Sequence, residues 1–178
     1  MDFGLAIAEC GMKNNKTLIL GLGNPILSDD AAGIIVGRKV YEFLLNSRSV
    51  FAVEFREASY AGWRLIDFLG GYSRAVIIDA VLDDSMAVGE VCEINRSAIC
   101  SIHLQSSHGM GLAEALELAG QSGMLMPRQI YIYGIGINKA DKFGESLSPE
   151  IEQKLPSIVQ EIAEAVKDRY RESDICYK

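Results

Sequence analysis

Two aspartates and one histidine stand in this 178-residue sequence where they could hold a metal ion. Asp30 follows a glycine-containing turn, Asp79 follows the apolar run 75–78, and His108 lies among serines and glycines. Carboxylate oxygens and an imidazole nitrogen suit nickel, zinc, iron or manganese, and three such ligands leave coordination positions open for a substrate or water. The pattern therefore predicts a metal site that can take part in a reaction.

The same residues also have structural interpretations, and a second set of ligands is available. Asp30, after a glycine turn, can cap the next helix or interact with its dipole. Asp79, at a strand end, can accept hydrogen bonds from backbone amides. A single histidine in a loop, such as His108, is more often a surface or core residue than a metal ligand. The alternative ligands are His103 with Asp83 or Asp84, which lie in polar segments. We favour the first set because its members stand at element boundaries that face one end of the predicted sheet.

Alternating strands and helices supply those boundaries. Apolar or alternating runs predict strands at 18–20, 51–57, 75–78, 89–94 and 129–135. Periodic apolar residues with capping and stop signals predict helices at 31–45, 63–69, 112–119 and 149–169. We expect an α/β fold, a single-domain three-layer sandwich with a mostly parallel, twisted sheet of about five strands and helices on both faces. The alternation over 89–94 is typical of an edge or antiparallel strand.

The order of these elements places the two aspartates at one edge of the sheet. In a doubly wound sheet the first and third strands are normally neighbours, and ligands bind at the carboxyl ends of the strands. Asp30 and Asp79 should therefore face one crevice. We expect the domain to span 17–170, with an N-terminal extension over 1–16 and a C-terminal tail over 171–178.

Other enzyme templates fit the sequence poorly. Gly21 and Gly23 supply two glycines of a dinucleotide-binding turn, but Ile26 stands where the third should be. Asp29 and Asp30 would put negative charge beside a bound pyrophosphate, whereas a pyrophosphate site needs positive charge at that helix end. The sequence contains no HExxH and no GxSxG motif, so neither a common zinc protease nor a serine nucleophile elbow is indicated.

Composition and charge limit the class of protein and its partners. The chain is 49% hydrophobic and 23% charged, as in ordinary globular domains. A formal net charge of -7 argues against nucleic acid or an anionic membrane surface as the main partner. There is no secretory signal or membrane-spanning run, and four scattered cysteines without CxxC spacing indicate reduced thiols. We expect a cytoplasmic protein.

Four short motifs follow one another in a fixed order along the chain. They are GLGN at 21–24 with SDDAAG at 28–33, YAG at 60–62, VIIDA at 76–80, and SHGMGL at 107–112. In type and order, over about residues 17–168, they resemble the nickel–iron hydrogenase maturation endopeptidase family. The first motif is fairly specific, whereas the other three carry weight as an ordered set.

The resemblance implies an endopeptidase that removes the C-terminal extension from the precursor of the hydrogenase large subunit after nickel insertion. Carried over, the family's metal ligands and catalytic residues fall on Asp30, Asp79 and His108, although the first ligand is often glutamate in the family. Nickel would arrive with the substrate, and zinc or cadmium could take its place in crystals. Asp29 is a candidate catalytic helper, since no separate general base is evident, although a cap of the following helix is the favoured role for it.

The resemblance also sets the expected partner. It implies the nickel-loaded large-subunit precursor as the protein partner, and we expect the enzyme to be a monomer or a weak dimer. A non-cleaving nickel-sensing assembly chaperone on the same fold would need the same three ligands. The residues alone leave both functions open.

Overall fold

The computed structural model describes residues 16–47, 52–59, 64–94, 112–138 and 143–175. In these ranges the strands are β1 (Thr17–Leu22), β2 (Val53–Ala58), β3 (Arg74–Leu82), β4 (Val91–Glu93) and β5 (Gln129–Ile137). The α-helices are α1 (Ala32–Asn46), α2 (Arg64–Leu69), α3 (Leu112–Gln121) and α4 (Pro149–Ile175), and a 3-10 turn (Ser28–Ala31) precedes α1.

The five strands form one sheet in the order β2-β1-β3-β5-β4. The pairs β1–β2, β1–β3 and β3–β5 are parallel, and the short edge strand β4 runs antiparallel to β5. The predicted α/β fold with a mostly parallel sheet is confirmed, as are the neighbouring positions of the first and third strands. The carboxyl ends of β1, β3 and β5 consequently share one edge.

Two apolar cores cover the two faces of the sheet. Successive side chains of a strand point to opposite faces, so Leu18 and Leu20 of β1 join one core while Ile19 joins the other. The first core includes residues of α2 and α3, and the second includes residues of α1 and α4. Fully buried helix residues are Leu65, Leu69 and Ala119 in the first core, and Val36, Val40, Leu44 and Ile162 in the second. This arrangement is the predicted three-layer sandwich.

Two elements extend well beyond their predicted ends. Strand β3 does not end at Asp79 but continues to Leu82, because β5 pairs with it along its whole length. Helix α4 extends past residue 169 to Ile175, and the buried ring of Tyr170 packs in the core that α4 shares with the sheet. Tertiary pairing extended both elements beyond what local sequence indicates.

None of the helices in the described part of the chain combines the length and hydropathy needed to span a membrane.

Candidate functional site

The backbone after β1 makes an unusually close approach to the end of β3. Gly23 has a φ of 140°, and a Cβ there would lie 1.9 Å from the carbonyl oxygen of Asp30. A Cβ at Gly33 would lie 2.3 Å from the oxygen of Leu22 and 2.5 Å from that of Ile78. Only glycine permits both contacts. The start of α1 therefore packs directly against the ends of β1 and β3, and the backbone of Asp30 packs against Gly23.

The carboxylate of Asp30 turns back toward the end of β1. The backbone N–H of Asn24 donates a hydrogen bond of 2.8 Å to Asp30 Oδ2. The N-cap residues of the 3-10 turn and of α1 are Leu27 and Ala31, and neither makes a side-chain capping hydrogen bond, so the helix-cap interpretation of Asp30 does not apply. The half-buried side chain is instead oriented by the glycine turn itself.

Asp79 lies where β3 loses one of its two neighbours. The pairing of β1 with β3 ends at Gly21 and Ile78, whereas β5 continues beside Asp79. Asp79 Oδ1 accepts a hydrogen bond of 2.9 Å from the backbone N–H of Ala80, as the strand-end interpretation expected.

The 3-10 turn that carries Asp30 contacts β3, the strand that carries Asp79. Burial raises the pKa of the Asp79 carboxyl to about 7, the Ala80 hydrogen bond opposes this shift, and the negative charge of Asp30 adds to it. Among the described ion pairs, none involves either carboxylate. Carboxylate oxygens without a described cationic partner are donors that a divalent cation accepts, so the chemistry of these two side chains fits a metal ion.

The other predicted ligands divide into two groups. His108 and His103 lie outside the described residues, and the described ranges contain no group of three or more His, Cys, Asp or Glu suited to a metal. Asp83 is exposed and accepts hydrogen bonds from the Ser85 hydroxyl (2.6 Å) and backbone N–H (2.8 Å), which lower the pKa of its carboxyl. Asp83 and the adjacent exposed Asp84 belong to a solvated turn beyond β3.

Asp29 contacts a different part of the chain from Asp30. Its side chain is buried, and Oδ1 accepts a hydrogen bond of 2.6 Å from the backbone N–H of Ser148, at the start of α4. Neither expected role of Asp29, as a helper in the catalytic site or as a cap of its own helix, predicts this contact. Asp29 and Ser148 are 119 positions apart in the sequence, so no local motif indicates their hydrogen bond.

Comparison with known proteins gives a consistent result. A family model described as hydrogenase maturation protease matches residues 40–165, a range that includes Asp79 and begins after Asp30. The hydrogenase 2 maturation protease of Escherichia coli K12 is 23% identical over 156 residues, which cover 86% of this chain and 92% of that protein.

Solved structures show the same relationship. The [NiFe] hydrogenase maturation protease HybD from Thermococcus kodakarensis is 30% identical with a TM-score of 0.58, and the match covers 85% of this chain and 99% of that one. The hydrogenase maturating endopeptidase HybD from E. coli has the same fold at 22% identity and a TM-score of 0.61, covering 86% of this chain and 93% of that chain.

Proposed function

Because this chain belongs to the hydrogenase maturation protease family, we propose that it cleaves the C-terminal extension from a nickel-loaded hydrogenase large-subunit precursor. The observation that carries the proposal is the placement of two carboxylates at the carboxyl edge of the sheet: Asp30 lies on the turn after β1, which contacts β3, and Asp79 lies on β3 directly after its pairing with β1 ends. This edge is where α/β proteins bind ligands. The family supplies the class of reaction, and the carboxylates supply a place for the precursor's metal.

In the proposed mechanism, the nickel of the precursor is part of the substrate. Asp30, Asp79 and His108 would hold it, and the bound ion would supply a Lewis acid beside the peptide bond to be cut. The hydrogen bond from Asn24 keeps the Asp30 carboxylate oriented before the substrate arrives. Asp79 must give up its proton when the cation binds, since its pKa is raised to about 7.

The activity is tested by incubating the purified protein with nickel-loaded and nickel-free precursor and weighing the products by mass spectrometry. Loss of the C-terminal extension only from the nickel-loaded precursor supports the proposal. A stable complex in which the extension stays intact favours the alternative function, a nickel-sensing assembly chaperone. The nickel-free precursor is the matched control, because it presents the same peptide bond without the metal.

The third ligand is tested by replacing each histidine. We expect His108→Ala to lower the cleavage rate by about a thousandfold, because a lost metal ligand removes several kcal/mol of transition-state stabilisation. His103→Ala is the matched control and should cleave at the rate of the unsubstituted protein. Circular dichroism checks that both variants fold. The reverse result would assign the ligand to His103.

Metal affinity should depend on pH. Below pH 7 a cation must displace the Asp79 proton, so Asp79 should contribute a rise of about tenfold per pH unit in the association constant for Cd²⁺ between pH 5 and 7, in addition to the contribution of His108, and this rise should then level off. Isothermal titration calorimetry at several pH values measures this slope. In Asp79→Asn binding should be weak and this contribution to the slope should disappear. An unchanged slope in that variant would assign the proton to another group.

A further inference from the structure

The loop before α4 is attached to the turn that carries Asp30. Leu27 and Gly144 form a parallel β-bridge, in which Gly144 N donates to Ile26 O at 3.0 Å and Ser28 N donates to Gly144 O at 2.7 Å. The Ser28 hydroxyl also donates to the carbonyl oxygen of Ser146 at 2.9 Å. We call residues 26–29 and 144–148 together the clasp.

Asp29 contributes a buried carboxylate to the clasp. Only 7% of Asp29 is exposed, and its Oδ1 lies 2.6 Å from the amide nitrogen of Ser148. Ser148 directly precedes α4, and the first amides of a helix carry partial positive charge without a partner inside the helix. The hydrogen bond is therefore charge-assisted, and leaving the buried carboxylate without it would be unfavourable.

The next residue along the same 3-10 turn is Asp30. A displacement of Asp29 away from α4 would shift Asp30 and break the hydrogen bond between Asn24 N–H and Asp30 Oδ2. That amide thus reports the position of the Asp30 carboxylate directly, whether or not a metal is bound.

We propose that Asp29 is a positioning residue, which sets the Asp30 carboxylate for metal binding by anchoring its turn to the N-terminus of α4. The part that concerns the metal rests on the function proposed above. Residues that orient metal ligands in this way typically contribute 10- to 100-fold to metal affinity or activity.

The test compares Asp29→Ala, Asp29→Asn and Asp83→Ala by amide hydrogen exchange in NMR spectra and by Cd²⁺ titration. In Asp29→Ala we expect the Asn24 amide to exchange at least about tenfold faster and Cd²⁺ affinity to fall about 10- to 100-fold. Asp29→Asn keeps an acceptor for the Ser148 amide but not the charge, so both changes should be about threefold. Asp83→Ala is the matched control, because the described hydrogen bonds of this carboxylate come only from nearby Ser85. It should change neither the exchange of the Asn24 amide nor the affinity for Cd²⁺.

Unchanged Asn24 exchange in a folded Asp29→Ala protein would overturn the positioning role, whatever the metal titration gives. If that variant does not fold, Asp29→Asn decides in the same way. If the unsubstituted protein neither binds Cd²⁺ nor cleaves precursor, the proposed function fails, while the exchange measurement still decides whether Asp29 positions Asp30. Faster Asn24 exchange with unchanged Cd²⁺ affinity would overturn the link from Asp29 to the metal.

Discussion

Replacing Asp79 by asparagine should produce a protein that is more stable above pH 7 and cleaves at least about a thousandfold more slowly. Asparagine has the shape of aspartate and can still accept the hydrogen bond from Ala80 N–H. It cannot provide the negative charge that a cation needs. The same substitution also removes the unfavourable burial of that charge beside Asp30, which raises the pKa of Asp79 to about 7.

The pH range of the stability effect follows from the two pKa values. The Asp79 pKa is about 7 in the folded protein against 3.8 for an ordinary aspartate. Below pH 4 both states are protonated and the charge has no effect. Between pH 4 and 7 the unfolded chain loses its proton first, so the folded protein becomes less stable as pH rises. Above pH 7 the full penalty applies, on the order of 4 kcal/mol.

Thermal unfolding without metal at pH 4 and pH 8 measures the difference. Asp79→Asn should lose less stability than the unsubstituted protein between these pH values. The matched control is Asp83→Asn, since hydrogen bonds from Ser85 lower the pKa of Asp83 and its charge is favourable in the folded state. That control should gain no stability at pH 8 and should cleave normally. An equal pH dependence in Asp79→Asn and the unsubstituted protein would contradict the effect of burial.

The second large effect is expected from Gly33→Ala. A Cβ at this position would lie 2.3 Å from the oxygen of Leu22, 2.5 Å from that of Ile78 and 2.9 Å from Asp79 Cα. All three are backbone atoms, so no side-chain rotation can make room. We expect the free energy of unfolding to fall by about 3 kcal/mol or more.

Gly120→Ala is the matched control for this prediction. Gly120 lies in α3, and a Cβ there would meet nothing within 4 Å. Alanine should therefore raise the free energy of unfolding by about 0.5–1 kcal/mol, through helix propensity and a less flexible unfolded chain. Urea unfolding of the two variants measures both changes. Equal stability of Gly33→Ala and Gly120→Ala would mean that α1 can move away from the strands at no cost.

Much of this fold can be predicted from local sequence because β1 and β3, at the centre of the sheet, are nearly continuous apolar runs. The run 75–78 predicts β3, and the glycine turn after Leu22 predicts where β1 ends. That β1 and β3 are neighbours follows from the general topology of doubly wound sheets. From these three points the sequence predicts that Asp30 and Asp79 approach the same edge.

Other features depend on contacts between distant parts of the chain. The extension of β3 to Leu82 requires β5 as a partner, and the Asp29–Ser148 hydrogen bond joins positions 119 residues apart. Neither leaves a periodic or compositional signal nearby. The assignment of His108 as a ligand stays a prediction, because that residue lies outside the described ranges.

The clasp has a consequence for when the protein becomes active. Ribosomes synthesise a chain from its N-terminus, so Asp29, on the Asp30 turn, is made 119 residues before Ser148 and the helix that follows it. Until the segment that contains Ser148 has emerged and the helix after it has docked, the turn lacks its anchor. We therefore expect a nascent or truncated chain that stops before Ser148 to bind metal poorly, and a chain that extends through that helix to bind it normally.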